Sequence, residues 1–174
     1  FKALNVLGVN VTIPHKQTVM SILDDVSHEA TLIGAANTLI FCDGRVSGDN
    51  TDAQGFLRAM TEEGIDIPVG GSAVVLGAGG AARAVVVALA LSGLDLITIA
   101  NRTEWKAIQF EKDLATISET EISAVDLASN QLNLAIRSAD LLVNTTSVGM
   151  QETDQLLIDP DFLNPGTIVY EIVY

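Results

Sequence analysis

Two ionisable side chains in the first third of the chain stand where chemistry could use them. Lys16 closes the stretch Gly8-Val9-Asn10-Val11-Thr12-Ile13-Pro14-His15-Lys16, and Asp52 closes Gly48-Asp49-Asn50-Thr51-Asp52. A lysine and a carboxylate that both reach one hydroxyl can share the movement of its proton, which oxidation of an alcohol by hydride transfer demands. Each residue also has a plainer reading: Lys16 as a solvated surface lysine, Asp52 as a helix N-cap. A helix N-terminus near Lys16 would disfavour its ammonium form, and a nearby Asp52 would oppose that effect. His15 and His28 are the remaining candidates for acid–base work and rank below Lys16.

A hydride carrier is the missing partner, and the second half of the chain supplies a place for one. Gly77-Ala78-Gly79-Gly80-Ala81-Ala82 fits the G-x-G-x-x-A fingerprint, directly after the apolar run Ala73-Val74-Val75-Leu76 and at the start of a helix. Gly77 permits a tight turn, Gly79 lets the backbone approach a pyrophosphate, and the helix offers free N–H groups. The alternative is a purely structural glycine turn. The next strand ends in Asn101-Arg102-Thr103, where an NAD-binding fold usually carries Asp or Glu for the ribose 2′-hydroxyl. Neutral Asn101 does not repel a 2′-phosphate, and the Arg102 fork can bind one. Thr103 adds a hydroxyl or caps the helix, and Lys106 adds a second positive charge or is an ordinary solvated lysine. These residues select NADP over NAD. The run Asn144-Thr145-Thr146-Ser147-Val148-Gly149-Met150, which includes Thr146, either lines the nicotinamide side of the site or is a plain surface loop.

The elements that must position these groups follow from periodicity. Val9, Val11 and Ile13 alternate with Asn10 and Thr12, so residues 9–13 read as a strand with one polar face, stopped by Pro14. A short helix precedes it, and a helix over 16–25 follows. Asp43-Gly44 between two strand-like runs predicts a hairpin, and a helix spans 53–63. From residue 73 onward, strands at 73–76, 96–100, 122–125, 141–144 and 167–173 are interleaved with helices at 81–91 and 104–117. The fold class is α/β: an N-terminal α/β region at 1–66, followed at 67–174 by a Rossmann-type doubly wound parallel sheet.

Bulk composition narrows the function classes. The 174 residues are 48% hydrophobic and 18% charged, as in a globular protein. A net charge of −13 argues against nucleic acid or an anionic membrane as partner. No apolar run reaches the roughly 20 residues of a membrane helix. Cys42 is the only cysteine, so no disulfide framework and no cysteine metal site is expected. Lying in Leu39-Ile40-Phe41-Cys42, it is expected to be a buried small hydrophobe. The cytoplasm is the natural compartment, and a small molecule is the natural partner.

At this point the chain resembles the shikimate dehydrogenase (AroE) family. The resemblance rests on Gly8 through Lys16, Gly34-Ala35-Ala36-Asn37-Thr38, Gly48 through Asp52 with Gly55, Gly77 through Ala81 with Asn101-Arg102-Thr103, and Asn144 through Met150. The closing Glu171-Ile172-Val173-Tyr174 is similar to the family's D-x-V-Y, with Glu171 in place of Asp. The resemblance implies NADPH-dependent reduction of 3-dehydroshikimate to shikimate in aromatic amino-acid biosynthesis, by a monomer or homodimer without a metal. It implies Lys16 and Asp52 as the catalytic pair, with Thr12, Asn37 and Tyr174 holding substrate beside them. It implies Gly77, Ala78, Gly79, Gly80, Ala81, Asn101, Arg102, Thr103, Lys106 and Thr146 at NADP(H), with Ile172 by the nicotinamide. Family members carry an S-x-S substrate clamp ahead of these blocks and a further C-terminal part. Neither is seen here, so the resemblance implies that residues 1–66 are a partial substrate domain and that the chain is truncated at both ends, expected to bind NADP(H) but to turn over slowly or not at all. A quinate-directed paralogue, with NAD as a candidate cofactor, and a non-catalytic dinucleotide-binding module are the alternatives.

Overall fold

In the computed structural model, which describes residues 6–115, 117–151 and 153–173, the strands assemble into two sheets. The first has the order β1-β3-β4-β2, with β1 at Gly8–Asn10, β2 at Asp25–Val26, β3 at Thr38–Cys42 and β4 at Arg45–Asp49. β3 and β4 form the hairpin that Asp43-Gly44 predicts. Cys42 pairs with Arg45, and the two loop residues have φ of 47° and 79°, a turn whose twist matches that of the strands.

The second sheet is parallel throughout, in the order β7-β6-β5-β8-β9. Its strands are β5 (Ser72–Leu76), β6 (Leu96–Asn101), β7 (Glu121–Asp126), β8 (Leu141–Asn144) and β9 (Ile168–Glu171). Helices α3 (Gly80–Leu91) and α4 (Glu104–Leu114) cover one face, where Val75, Ile97 and Ile99 meet Val86, Leu89 and Phe110. Helix α5 (Asn130–Ser138) covers the other, where Val74, Leu76 and Ala100 meet Leu132 and Ile136. Burial on both faces explains why β5 is apolar without alternation. Each fully buried Leu or Phe here contributes about 1.5–3 kcal/mol. Strand order reverses between β5 and β8, so the loops leaving them diverge and open a crevice at the carboxyl edge.

Helices α1 (His28–Ile33) and α2 (Asp52–Glu62) join the two sheets. Ile33, Ala53, Phe56 and Met60 belong to the same buried cluster as Val85 and Leu89 of α3. Phe56 meets Tyr170 of β9 edge-to-face, with ring centroids 5.1 Å apart. The first sheet is thereby anchored to the helical face of the second, and the segments carrying Lys16 and Asp52 are brought toward the crevice.

Four expectations differ from the structure. The helix at 16–25 is only a five-residue 3-10 turn at Thr18–Ile22, because Leu23 is extended and Asp24 to Val26 are drawn into pairing with β4. The strand at 9–13 is confined to β1, because the chain turns beyond Val11 and the His15 N–H donates to the Thr12 carbonyl at 2.9 Å. Ile13 is consequently 60% exposed. Cys42 is exposed, not buried, since it shares a strand face with exposed Ile40, opposite the buried Leu39. Helix α4 stops at Leu114, three residues short of the expected end. The short helix expected before residue 9 falls chiefly on residues 1–5, outside those described. Helices α1 and α5 and strand β2 were not anticipated.

Candidate active site

Asp52 opens α2 but does not cap it. Its backbone N–H donates to the Asn50 side-chain carbonyl at 2.9 Å. One carboxylate oxygen accepts from Lys16 Nζ at 2.6 Å and the other from Asn37 Nδ2 at 2.8 Å. Asn37 is 8% exposed and is itself fixed, donating to Thr51 Oγ1 at 3.0 Å and accepting from the Thr51 N–H at 3.1 Å. Asn50 is buried and donates to the Ala35 carbonyl at 2.8 Å. The plainer readings of Lys16 as a solvated lysine and Asp52 as a cap therefore fail. Their side chains are 15% and 29% exposed and meet across 36 residues of sequence.

Lys16 also touches the glycine loop. A Cβ built on Gly80 would lie 2.8 Å from Lys16 Cβ and 3.1 Å from its Cδ, so the lysine stem runs directly over the first turn of α3. Only a residue without a side chain at position 80 allows that approach. Lys16, and through it Asp52, thus reaches the crevice of the second sheet.

The crevice is a cleft of about 610 Å³ lined by Lys16, Gly77, Ala78, Gly79, Gly80, Asn101, Arg102, Thr103, Lys106 and Thr146, among others. Gly77 has φ +113°, and a Cβ there would sit 2.5 Å from Thr145 Oγ1. Nothing lies within 4 Å of a Cβ built on Gly79, and the first-turn N–H groups of α3 have no intrahelical acceptors. An anionic diphosphate fits that space and those donors. Strand β6 ends on Asn101, whose side chain donates to the Thr103 carbonyl at 2.9 Å, shaping the turn without adding negative charge. Arg102 is exposed and forms no ion pair among the described residues. Thr103 stands at the N-cap of α4 without a side-chain cap bond. These residues fit a 2′-phosphorylated dinucleotide.

Other expected site residues stand apart from the cleft. Ala81 and Ile172 do not line it; the Ile172 N–H donates to the Asn144 carbonyl at 3.2 Å, at the same edge of the sheet as Thr146. Thr12 is exposed in its turn, and Asn37 stands behind Asp52. Tyr174 lies outside the described residues. His15 and His28 are exposed. Among the described residues, no group of three or more His, Cys, Asp or Glu could hold a metal ion, and no helix is long and apolar enough to cross a membrane.

One wall of the cleft lies outside the sequence motifs. Trp105, Gln109 and Asp113 recur every four residues along α4 and line it together with Arg83 of α3. The i, i+4, i+8 spacing was the available signal. Asp113 accepts from Gln109 Nε2 at 2.8 Å and from Arg83 Nη1 at 2.9 Å. Desolvation works against its ionisation, but the two hydrogen bonds and the Arg83 charge together hold its carboxyl below its ordinary value. Its stabilising contribution is present above the ordinary carboxylate range and is lost as pH falls through the depressed value.

Known proteins resemble the chain in sequence and in fold. Residues 1–39 match the family model described as shikimate dehydrogenase substrate binding domain, and residues 68–153 match the one described as shikimate / quinate 5-dehydrogenase. The shikimate dehydrogenase (NADP(+)) of Desulforamulus reducens is 45% identical over 99% of the chain and 60% of its own length. The structure of the Listeria monocytogenes shikimate 5-dehydrogenase, solved with shikimate and NAD, superposes with a TM-score of 0.85 at 36% identity, over 100% of this chain and 62% of that one. The Thermus thermophilus enzyme, solved with NADP(H) and shikimate, gives 0.83 at 38% identity, over 98% and 59%. The chain spans about 60% of the length of the curated relatives it matches.

Proposed function

The chain belongs to the shikimate dehydrogenase family, and from that premise we propose that the protein interconverts shikimate and 3-dehydroshikimate with NADP(H) in aromatic amino-acid biosynthesis. The observation that carries the proposal is the contact between the proton-transfer pair and the cofactor loop. Lys16 Nζ is 2.6 Å from Asp52 while the lysine stem lies on Gly80. Residues 1–66 present the substrate side and residues 67–174 the cofactor side. The acidic surface and the single cysteine support a cytoplasmic location.

When bound, NADP supplies the hydride acceptor or donor. In oxidation, Lys16 and Asp52 take the hydroxyl proton as hydride leaves the carbon; in reduction they return it to the carbonyl oxygen. Asn37 keeps Asp52 aimed at Lys16, and with Thr12 and Tyr174 it forms the remaining polar contacts to the substrate hydroxyls and carboxylate. The glycine loop from Gly77 to Ala81 holds the diphosphate, Asn101, Arg102, Thr103 and Lys106 hold the 2′-phosphate, and Thr146 and Ile172 border the nicotinamide. The test is an absorbance assay on the intact protein with shikimate or quinate and either cofactor. Shikimate with NADP is expected to give the highest kcat/KM, and absence of shikimate-dependent turnover would sink the proposal.

Two further results follow from the cofactor end. Arg102→Glu removes the guanidinium fork and places a carboxylate where the phosphate charge is held. KM for NADP should rise about 100-fold, the equivalent of roughly 3 kcal/mol for a charge-assisted pair. KM for NAD should change less than fivefold, and equal effects on both cofactors would refute the assignment. Trp105 is the only tryptophan, is 65% exposed and lines the cleft, with Lys106 Nζ 5.8 Å from its ring centroid. NADPH titration should therefore quench the intrinsic fluorescence saturably, and Arg102→Glu should shift that curve to higher concentration.

A further inference from the structure

Arg83 is a buried cation that the proposed reaction does not use. It projects from α3, three residues beyond Gly80, and its side chain is 9% exposed. Its Nε donates to the Ile33 carbonyl at 2.5 Å, Nη1 donates to Asp113 at 2.9 Å, and Cζ lies 4.8 Å from the centroid of the Phe110 ring. Arg83 thus ties α3, which carries it, to the end of α1 and to α4. Gly34, the left-handed cap of α1 at φ +68°, lies against it, and a Cβ there would be 2.8 Å from Nη2. An aliphatic side chain could fill the same volume without the desolvation that a buried charge costs. What it could not do is hold the α1 carbonyl terminus at a fixed position and direction, as a planar fork does.

The segment that Arg83 holds runs straight to the reacting pair. From Ile33 the chain passes Gly34 and Ala35, whose carbonyl accepts from Asn50. The Ala36 N–H donates to the Lys16 carbonyl at 2.8 Å. Asn37 then donates to Asp52. Residues 33–37 thus carry one hydrogen bond from Arg83 at one end and hold both Lys16 and Asp52 at the other. We infer that Arg83 is a positioning residue for the Lys16–Asp52 pair, acting through residues 33–37 to fix the pair over the cofactor loop. The inference rests on the dehydrogenase reading for its kinetic consequence, but not for its structural one.

The experiment compares Arg83→Met, Arg83→Lys and Asp113→Asn with the wild type in the intact protein. Sites are counted by the NADPH quench of Trp105, so that misfolded material does not enter kcat. Arg83→Met is expected to lower kcat per NADPH-binding site at least tenfold, whatever its effect on the NADPH Kd, since Arg83 also lines the cleft. Arg83→Lys, which keeps the charge and one donor, should recover part of that loss. Asp113→Asn, a half-exposed change that leaves the fold intact if Arg83→Met does not fold, should lower kcat two- to fivefold. In parallel, amide exchange in peptides covering 33–37 should quicken at least tenfold in the variants while that of β5 and β6 is unchanged. Unchanged kcat per site, or exchange that rises equally everywhere, overturns the inference and leaves Arg83 a purely structural residue. Absence of wild-type turnover would instead overturn the dehydrogenase reading, and the exchange pattern would still decide the positioning role.

Discussion

Replacing Lys16 by Met should lower kcat for shikimate oxidation by about 10²–10⁴-fold in the intact protein, the range that a positioned proton-transfer group contributes. The lysine head reaches Asp52, but its stem runs over Gly80 and makes no polar contact with the glycine loop. Methionine keeps that stem, so NADPH affinity should change less than threefold. Asp52→Asn should cost a similar factor in kcat, because the amide cannot accept the proton and offers Lys16 only a weakened acceptor. The double variant should be no more than a few-fold worse than either single one, since two residues that act as a unit are lost only once. Steady-state kinetics of the three variants, normalised to NADPH-binding sites, checks this. Multiplicative losses would mean that Lys16 and Asp52 serve separate steps.

The other large effect belongs to Gly77. At φ +113° a valine is strained by on the order of 1–3 kcal/mol before any contact is counted. Its Cβ would also meet Thr145 Oγ1 at 2.5 Å and Thr146 Cγ2 at 3.3 Å. Thr145 cannot yield easily, being 8% exposed and tied to the Leu76 carbonyl by its hydroxyl at 2.6 Å and its N–H at 2.9 Å. Gly77→Val should therefore spread the β5 and β8 loops, raise the NADPH Kd at least 100-fold and lower Tm by several degrees. Gly79→Ala is the informative contrast. Its φ of −95° is ordinary and nothing within 4 Å opposes the new methyl. Tm should hold within about 1 °C while NADPH binding weakens, because the space is that of the diphosphate. Calorimetry and fluorescence titration of both variants separate the two effects, and a Gly77→Val protein with wild-type affinity would refute the crevice assignment.

Much of the second sheet was legible because its signals are local. Apolar runs at 73–76 and 141–144, the glycine loop and the Asp43-Gly44 turn each specify their own conformation within a few residues. The first sheet was less legible because its short segments take their structure from partners. Residues 24–26 join β4 instead of extending a helix, and the face on which Cys42 lies is decided by what covers Leu39. Helix α1 was overlooked although Ser27, which accepts from the Ala30 N–H, and Gly34 mark both its ends. At the candidate site, Lys16, Asp52 and Asn37 were singled out by motif, yet their network depends on pairings 14 to 36 residues apart that no periodicity encodes. Arg83 was hidden for the same reason: its partners Ile33 and Asp113 lie 50 and 30 residues away.

Single-turnover mixing of enzyme and NADP with excess shikimate tests the central claim most directly, because it isolates proton and hydride transfer from product release. The intact wild-type protein should form NADPH in one exponential phase. Lys16→Met should form it at least 100-fold more slowly, with the Trp105 quench by NADPH unchanged. Equal single-turnover rates in the two proteins would contradict the assignment of Lys16 and Asp52 as the proton-transfer pair.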